Sequence, residues 1–498
     1  MVVGRIAAVA VMVALLAGGA ALAQEGDAPG RVLVWLAPGQ PGAPAGPGML
    51  AWIVPGAASQ LLAEVPSEGP QTRVFACGPD ALAPAGDGLV IFVGAETGGL
   101  YYVPLRVEGA LIRLGNAHAL ACNGPGRAAF SPDGQRWAYI DYPADATRRA
   151  PFASGTLRIL TMPAAAGLAP FVEAVAFPEI VAFTLGDAGA YAVRFFTDVN
   201  GLADEAALIG WDGAAGREIT TLVPARGCDW TSAALAPYAG GGVILSLGQH
   251  CPGGSQWRLF TVSDDGAATE HVYMPSGGAY LPASTVNRVI PLADGQRVLA
   301  TFPNGRAASV ANLVLADLTA RTVTLVTEGI TVDTFPGGLA RLLQRAPDGR
   351  FLVYVSSTAN DEHFLHRLAL DGSVMPVTIS AGSRGDVIAT FSFGMDGRLA
   401  FVAGGAGGQD NTLFLLPAGE AAPQRVMRGR FLQSTSLMTD AGVILLNHVP
   451  ADTAYPRTAT DLVLAGFDGS LTTLLEGRAA GSWGYPLVWQ APPDAVAP

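Results

Sequence analysis

The sequence predicts an all-β chain made from one small sheet motif used repeatedly. Three observations carry this. A strand–turn–strand pattern is sharpest at Ala128-Ala129-Phe130-Ser131-Pro132-Asp133-Gly134-Gln135-Arg136-Trp137-Ala138-Tyr139. Looser copies recur about every fifty residues. The two ends of the chain hold fragments of the motif that complete one another.

In the lead copy Pro132 presets one backbone dihedral, Asp133 can bond its own backbone, and Gly134 supplies positive φ without steric cost. The flanking apolar and aromatic residues favour strands. Ala346 to Tyr354, through Pro347-Asp348-Gly349, is the nearest second copy. Asp294-Gly295 and Asp396-Gly397 mark two more without the proline. The turn glycines 88, 134, 189, 241, 295, 349, 397 and 442 are separated by 46, 55, 52, 54, 54, 48 and 45 residues. Each copy is followed by two more strand-like runs. After Tyr354 these are His363 to Leu370, an Asp371-Gly372 turn, and Ser373 to Ile379. An Asp-Gly between alternating runs marks a hairpin. Four strands in a period near fifty is the pattern of a propeller blade. A β-sandwich would show shorter turn spacing and no long period.

With the strands of a blade labelled A to D from inside to outside, Val32–Ala37, Met49–Val54 and Gln60–Val65 resemble B, C and D without an A. Pro486 to Asp494 resembles an A strand running into a Pro-Asp turn. Pairing the N- and C-terminal strands in one sheet would close the ring and leave no edge between first and last blades. The expectation is a single β-propeller over residues 24–498 with eight to nine four-stranded blades: eight internal repeats plus one composite make nine, or eight if one degenerate repeat is an insertion.

The chain of 498 residues is 50% hydrophobic and 14% charged, with a formal net charge of −12. All 29 basic residues are arginine. That excludes lysine Schiff-base chemistry and a Walker-type phosphate loop. The acidic balance argues against nucleic acid and anionic membrane surfaces as partners. Residues 1–23 read as a secretory signal peptide: Arg5, the apolar run Ile6 to Ala21, and Ala21-Leu22-Ala23 as the cleavage site before Gln24. The alternative is an uncleaved anchor helix, against which the cleavage site and the marginal apolar length both count. No cysteine follows the run, which counts against a lipoprotein anchor, and no other stretch is apolar enough to span a bilayer. The expected location is periplasmic or secreted, with no membrane insertion after cleavage.

Export permits disulfides. Of the four cysteines, Cys77, Cys122 and Cys228 each precede an expected A strand, at Ala81–Pro84, Ala128–Phe130 and Ala233–Pro237. Cys251 lies in the B–C connection of the Cys228 blade. D–A and B–C connections share one face, so Cys228–Cys251 is the favoured pair. Cys77–Cys122 would then link neighbouring blades at equivalent positions. Zinc, with His250, is the competing reading, but the spacing matches no zinc pattern.

The longest B–C connections are Asp141 to Gly155, Thr197 to Asp204 and Pro450 to Thr458. All should emerge on the cysteine-bearing face, and long loops on a rigid scaffold are where binding usually resides. Tolerated surface insertions are the plainer alternative. Within one of them Asp198, Asn200, Asp204 and Glu205 surround Gly201, an oxygen-rich pattern suited to calcium. It resembles a calcium loop lacking its middle Asp-Gly, and a polar turn without metal is the competing reading. His363 and His366 look like a metal pair, but strand positions three apart face opposite sides. Trp230, Trp483 and Tyr485 stand near A-strand starts, either as core between blades or as a stacking platform. Arg384-Gly385-Asp386, an adhesion tripeptide, is most simply coincidence in a chain with 63 glycines. No Gly-x-Ser-x-Gly nucleophile elbow is present.

Ser131-Pro132-Asp133-Gly134, with Phe130 before it and Trp137-Ala138-Tyr139 after it, resembles the repeat of the TolB-like, or WD40-like (PD40), β-propellers. Ala346 to Tyr354 fits nearly as well. The Asp198 to Glu205 insertion looks like the acidic loop such repeats carry between strands B and C. The resemblance implies an exported propeller that binds proteins or cell-envelope components. TolB has an α/β domain before its propeller, and here the pattern starts almost directly after the signal, so TolB's own role does not transfer. The same repeat caps prolyl-oligopeptidase-like enzymes, whose hydrolase domain has no counterpart here.

Two functions follow as expectations. The first is a non-enzymatic binding or scaffold protein, taking a protein or envelope polymer through the B–C/D–A face. The second is a carbohydrate-active lyase or hydrolase with its site at the mouth of the channel, which would need converging carboxylates or a metal there.

Overall fold

The structure, a computed structural model, describes the strands and the short turns between them. Residues 1–30, 37–47, 78–87, 144–153, 163–171, 276–287, 332–342, 449–458, 480–485, 491–498 and some shorter loops lie outside the described residues. Among the described residues the regular structure is all strand except for one 3-10 helix, Ala119–Cys122.

Antiparallel pairing sorts the strands into four-stranded units, taken up in chain order. Unit 1 pairs the last strand with the first three, in the order Pro486–Gln490, Arg31–Leu36, Gly48–Ile53, Gln60–Val65. Leu33 lies opposite Val488 and Val32 opposite Trp489. Unit 2 is Arg73–Ala76, Gly88–Gly94, Thr97–Pro104, Ile112–His118. Its inner strand, Arg73–Ala76, lies ahead of Cys77; Ala81–Pro84, where the sequence suggested an inner strand, lies outside the described residues. Arg-Val-Phe-Ala is itself a sound strand, and Val74 and Phe75 register with Val93 and Phe92.

Units 3 and 4 share the 14-residue strand Val172–Leu185. Its first part pairs with Gly155–Thr161 and completes Ala128–Phe130 and Arg136–Asp141. Its second part pairs with Ala190–Thr197, which leads to Ala203–Trp211 and Gly216–Leu222. The bend between them is at Pro178-Glu179, where Glu179 takes a φ of 62°. Unit 5 is Asp229–Pro237, Val243–Cys251, Gly254–Val262, Ala268–Pro275. Unit 6 is Arg288–Pro291, Arg297–Pro303, Val310–Asp317, Thr322–Thr331, and unit 7 is Leu343–Arg345, Phe351–Ser357, His363–Ala369, Pro376–Ala381. Unit 8 is Asp386–Phe393, Leu399–Gly405, Asn411–Leu416, Gln424–Gly429, and unit 9 is Ser436–Met438, Gly442–His448, Ala459–Gly466, Leu471–Ala479.

Each sheet is apolar on both faces and packs on its neighbours. Leu33 and Trp35 join a cluster with Val90 and Phe92 of unit 2, while Val32 and Val34 meet Leu462 and Leu464 of unit 9. Unit 4 packs on unit 5 through Leu208 and Leu245, and unit 5 on unit 6 through Ile244 and Val298. Leu299 and Tyr354 join units 6 and 7, Val353 and Phe391 units 7 and 8, Val402 and Val463 units 8 and 9.

The A–B turns repeat one hydrogen-bond pattern. Ser131 N–H donates to the Arg136 carbonyl at 2.9 Å and Gly134 N–H to Ser131 at 2.8 Å; the same pair recurs at Leu292 with Gly295 and at Ala346 with Gly349. Asp133, Asp294 and Asp396 each accept from the amide two residues on. Gly134, Gly295, Gly349 and Gly397 have φ between 65° and 81°. Gly189 and Gly442 instead supply the carbonyl that accepts the turn-closing bond, the place of Arg136, and are required for another reason: a Cβ there would lie 1.9 Å from the Trp211 carbonyl oxygen or 2.2 Å from that of Ala465.

These two causes separate by mutation. Gly189→Ala must displace the Trp211 backbone and is expected to cost about 2–4 kcal/mol. Gly241→Ala, with φ of +91° and nothing within 4 Å of the added carbon, is expected to cost about 1 kcal/mol. Denaturant midpoints of the two variants check the order.

Candidate functional site

The face carrying the D–A and B–C connections is best described around units 4 and 5. Ala203, at the start of its strand, pairs with Trp230, at the start of the next unit. That single pairing sets the end of the Asp198–Glu205 loop beside the connection 223–228. Two apolar side chains there are open to solvent, Leu202 at 41% and Val223 at 61%. Asp204 and Glu205 are also exposed. Asp198 and Asn200 lie outside the described residues, and no group of three metal-ligating side chains occurs among the described ones.

The connection is tied down from behind. Cys228 and Cys251 form a disulfide that closes 23 residues. The buried Gln249 accepts from Ala225 N–H at 3.0 Å and donates to Gln256 at 2.6 Å. Trp230 is fully buried, its indole N–H donating to the Leu222 carbonyl at 3.2 Å. It is core rather than a stacking platform, and Trp483 and Tyr485 lie outside the described residues. Arg258 sits 5.5 Å from the Trp230 ring, clamps Glu270 through two hydrogen bonds of 2.8 and 2.7 Å, and donates to the Val223 carbonyl.

The second disulfide joins Cys77 to Cys122 across 45 residues. It links units 2 and 3, though not at equivalent positions. Cys77 continues the inner strand of unit 2, its N–H bonding to the Val90 carbonyl, whereas Cys122 ends the 3-10 helix between units. With all four cysteines paired, none is left for zinc.

His363 and His366 both lie on one strand, opposite Ser357 and Tyr354. His366 contacts the hydroxyls of Ser356 at 2.8 Å and Thr378 at 3.3 Å, and its ring packs 5.1 Å from Tyr354. Burial pushes its pKa down to about 4. His118 and His448 are lowered in the same sense by burial, partly opposed by Glu96 and Asp461. These are packed strand histidines. Arg384 and Gly385 lie outside the described residues, as do most of the long B–C connections after Asp141 and His448.

No family model and no curated protein matches the chain. Solved structures do. The chain is similar to a eukaryotic initiation factor at 11% identity, covering 94% of this chain and 100% of that one, with a TM-score of 0.48. Sqt1 of Saccharomyces cerevisiae matches at 11% identity over 84% and 98%, TM-score 0.39. TolB of Acinetobacter baumannii matches at 12% identity over 71% and 65%, TM-score 0.30.

Two outcomes are expected. Replacing Cys228 and Cys251 by serine should cost about 3 kcal/mol, and the longer Cys77–Cys122 loop slightly more; non-reducing peptide mapping of the parent protein should return only these two pairs. For pH, the unfolded chain binds protons at histidine near pH 6.5, while folded His366 does so only near 4. Stability should be level above about pH 6.5, fall as pH drops towards 4, and receive no further loss from this residue below that. His366→Gln should flatten the fall in melting temperature.

Proposed function

We propose that the units form one closed ring of nine blades, and that the protein is exported and binds a protein partner or envelope polymer through its B–C/D–A face without catalysing a reaction. The observation that carries this reading is the pinned connection between units 4 and 5. A disulfide and a buried glutamine fix backbone that presents Leu202 and Val223 to solvent beside Asp204 and Glu205. Exposed apolar side chains rimmed by charge on a rigid support suit a protein interface. The two disulfides suit an oxidising compartment, and residues 1–23 supply the export signal. Among the described residues no helix is long and apolar enough to cross a membrane. The pairing of Pro486–Gln490 with Arg31–Leu36 and the packing of unit 9 on unit 1 support the ring.

Calcium in the Asp198, Asn200, Asp204, Glu205 loop would order the exposed edge of this face. If it does, calcium should raise the melting temperature and chelator should lower it; an unchanged melt removes the metal from the proposal. The binding surface is tested by co-sedimentation with the source envelope fraction. Leu202→Asp with Val223→Asp should lose at least ten-fold in retained protein while melting as the parent does. Equal retention by the double variant would move the interface elsewhere.

A further inference from the structure

In every unit the pairing of the third and fourth strands carries an irregularity that adds a residue to the outer strand, once in units 1, 2, 4, 5, 7 and 8 and twice in units 3, 6 and 9. Such a bulge lets outer-strand positions three apart share a face, where a regular strand would set them on opposite sides. Two side-chain contacts show this. Arg113 donates to the Asn116 amide oxygen at 2.5 Å, and the Thr221 hydroxyl donates to Glu218 at 2.8 Å. Both pairs flank the bulge of their strand.

The corresponding pair in unit 8 is Arg425 and Arg428. Arg425 lies opposite Phe414, Met427 opposite Leu413 and Arg428 opposite Thr412, so Val426 is the extra residue. Val426 and Met427 both pack towards unit 9, whereas Phe414 packs in the cluster shared with unit 7. The two arginines share the Phe414 face, two ladder positions apart, about 7 Å along the strand. Both are exposed on the outer edge of the sheet, and neither makes an ion pair among the described residues. The facing outer strand of unit 7, Pro376–Ala381, has no charged side chain. In the other units the bulge pair never holds two cations.

Two adjacent guanidiniums with no carboxylate between them repel, in a chain whose net charge is −12. We propose that Arg425 and Arg428 form a clamp for a tetrahedral dianion, the phosphate group of a monoester, on the outer wall between units 7 and 8. Each planar guanidinium can donate two parallel hydrogen bonds to such a group, and a dianion compensates both charges where a carboxylate compensates one. The site lies away from the unit 4–5 face, so its failure would leave the proposed function untouched.

The test is a thermal-shift and calorimetric titration of the full chain at low ionic strength with inorganic phosphate, inorganic sulfate and acetate. Phosphate and sulfate should bind at least ten-fold more tightly than acetate and raise the melting temperature. Arg425→Gln or Arg428→Gln should each weaken phosphate at least ten-fold. The double variant should lose the shift while melting, without anion, at or above the parent temperature. Arg113→Gln should change nothing. An equal response to acetate, no binding of phosphate, or full retention by the double variant would overturn the clamp. Titration with glycerol phosphate and sedimentation with phosphatidic-acid vesicles then separate a soluble ester from a lipid headgroup as the source.

Discussion

A four-stranded sheet with two apolar faces cannot be left with either face in water, and the rest of this structure follows from that. Along Arg31–Leu36 the alternation is direct: Leu33 and Trp35 face unit 2, Val32 and Val34 face unit 9. Gly88–Gly94 is buried from end to end. Burial of this kind yields roughly 25 cal/mol for each Å² of apolar surface removed from water. A single sheet can collect it on both sides only between two others. Each unit therefore gains from a neighbour on either side, as unit 1 does from unit 2 and unit 9.

The repeated bulge is the second constraint. An extra residue increases the local right-handed twist and tilts the outer strand. It also rewrites which side chains meet. His363 and His366 stand on a strand paired without irregularity to Phe351–Ser357, and their side chains stay on opposite faces. Arg425 and Arg428 have the same spacing in sequence but flank a bulge, and theirs fall together. One periodicity rule gives opposite answers three residues apart because the pairing partner differs.

Each disulfide lies at a joint with little or no strand pairing, as most joints between units have. Units 2 and 3 belong to separate sheets, and Cys77–Cys122 crosses between them. Between units 4 and 5 the ladder is a single pair, Ala203 with Trp230, and Cys228–Cys251 holds the connection just beyond it. By contrast, units 3 and 4 run through one continuous strand and have no cross-link at their joint among the described residues.

The sequence alone determined the all-β class, the turn chemistry, the cysteine pairs and the partnership of the two chain ends. Those signals are local or periodic: Pro-Asp-Gly fixes its own turn, and a missing inner strand at one end matches a spare one at the other. It misplaced the inner strand of unit 2, because alanine-rich Ala81–Pro84 and Arg73–Ala76 look equally strand-like until Phe92 chooses a partner. It did not separate glycines held by positive φ from those, like Gly189, held by a neighbouring carbonyl. Only the tertiary structure decided that Trp230 is core, that Leu202 and Val223 are open to solvent, and that Arg425 and Arg428 share a face. Each depends on register between strands, and register is set by partners that composition and spacing do not name.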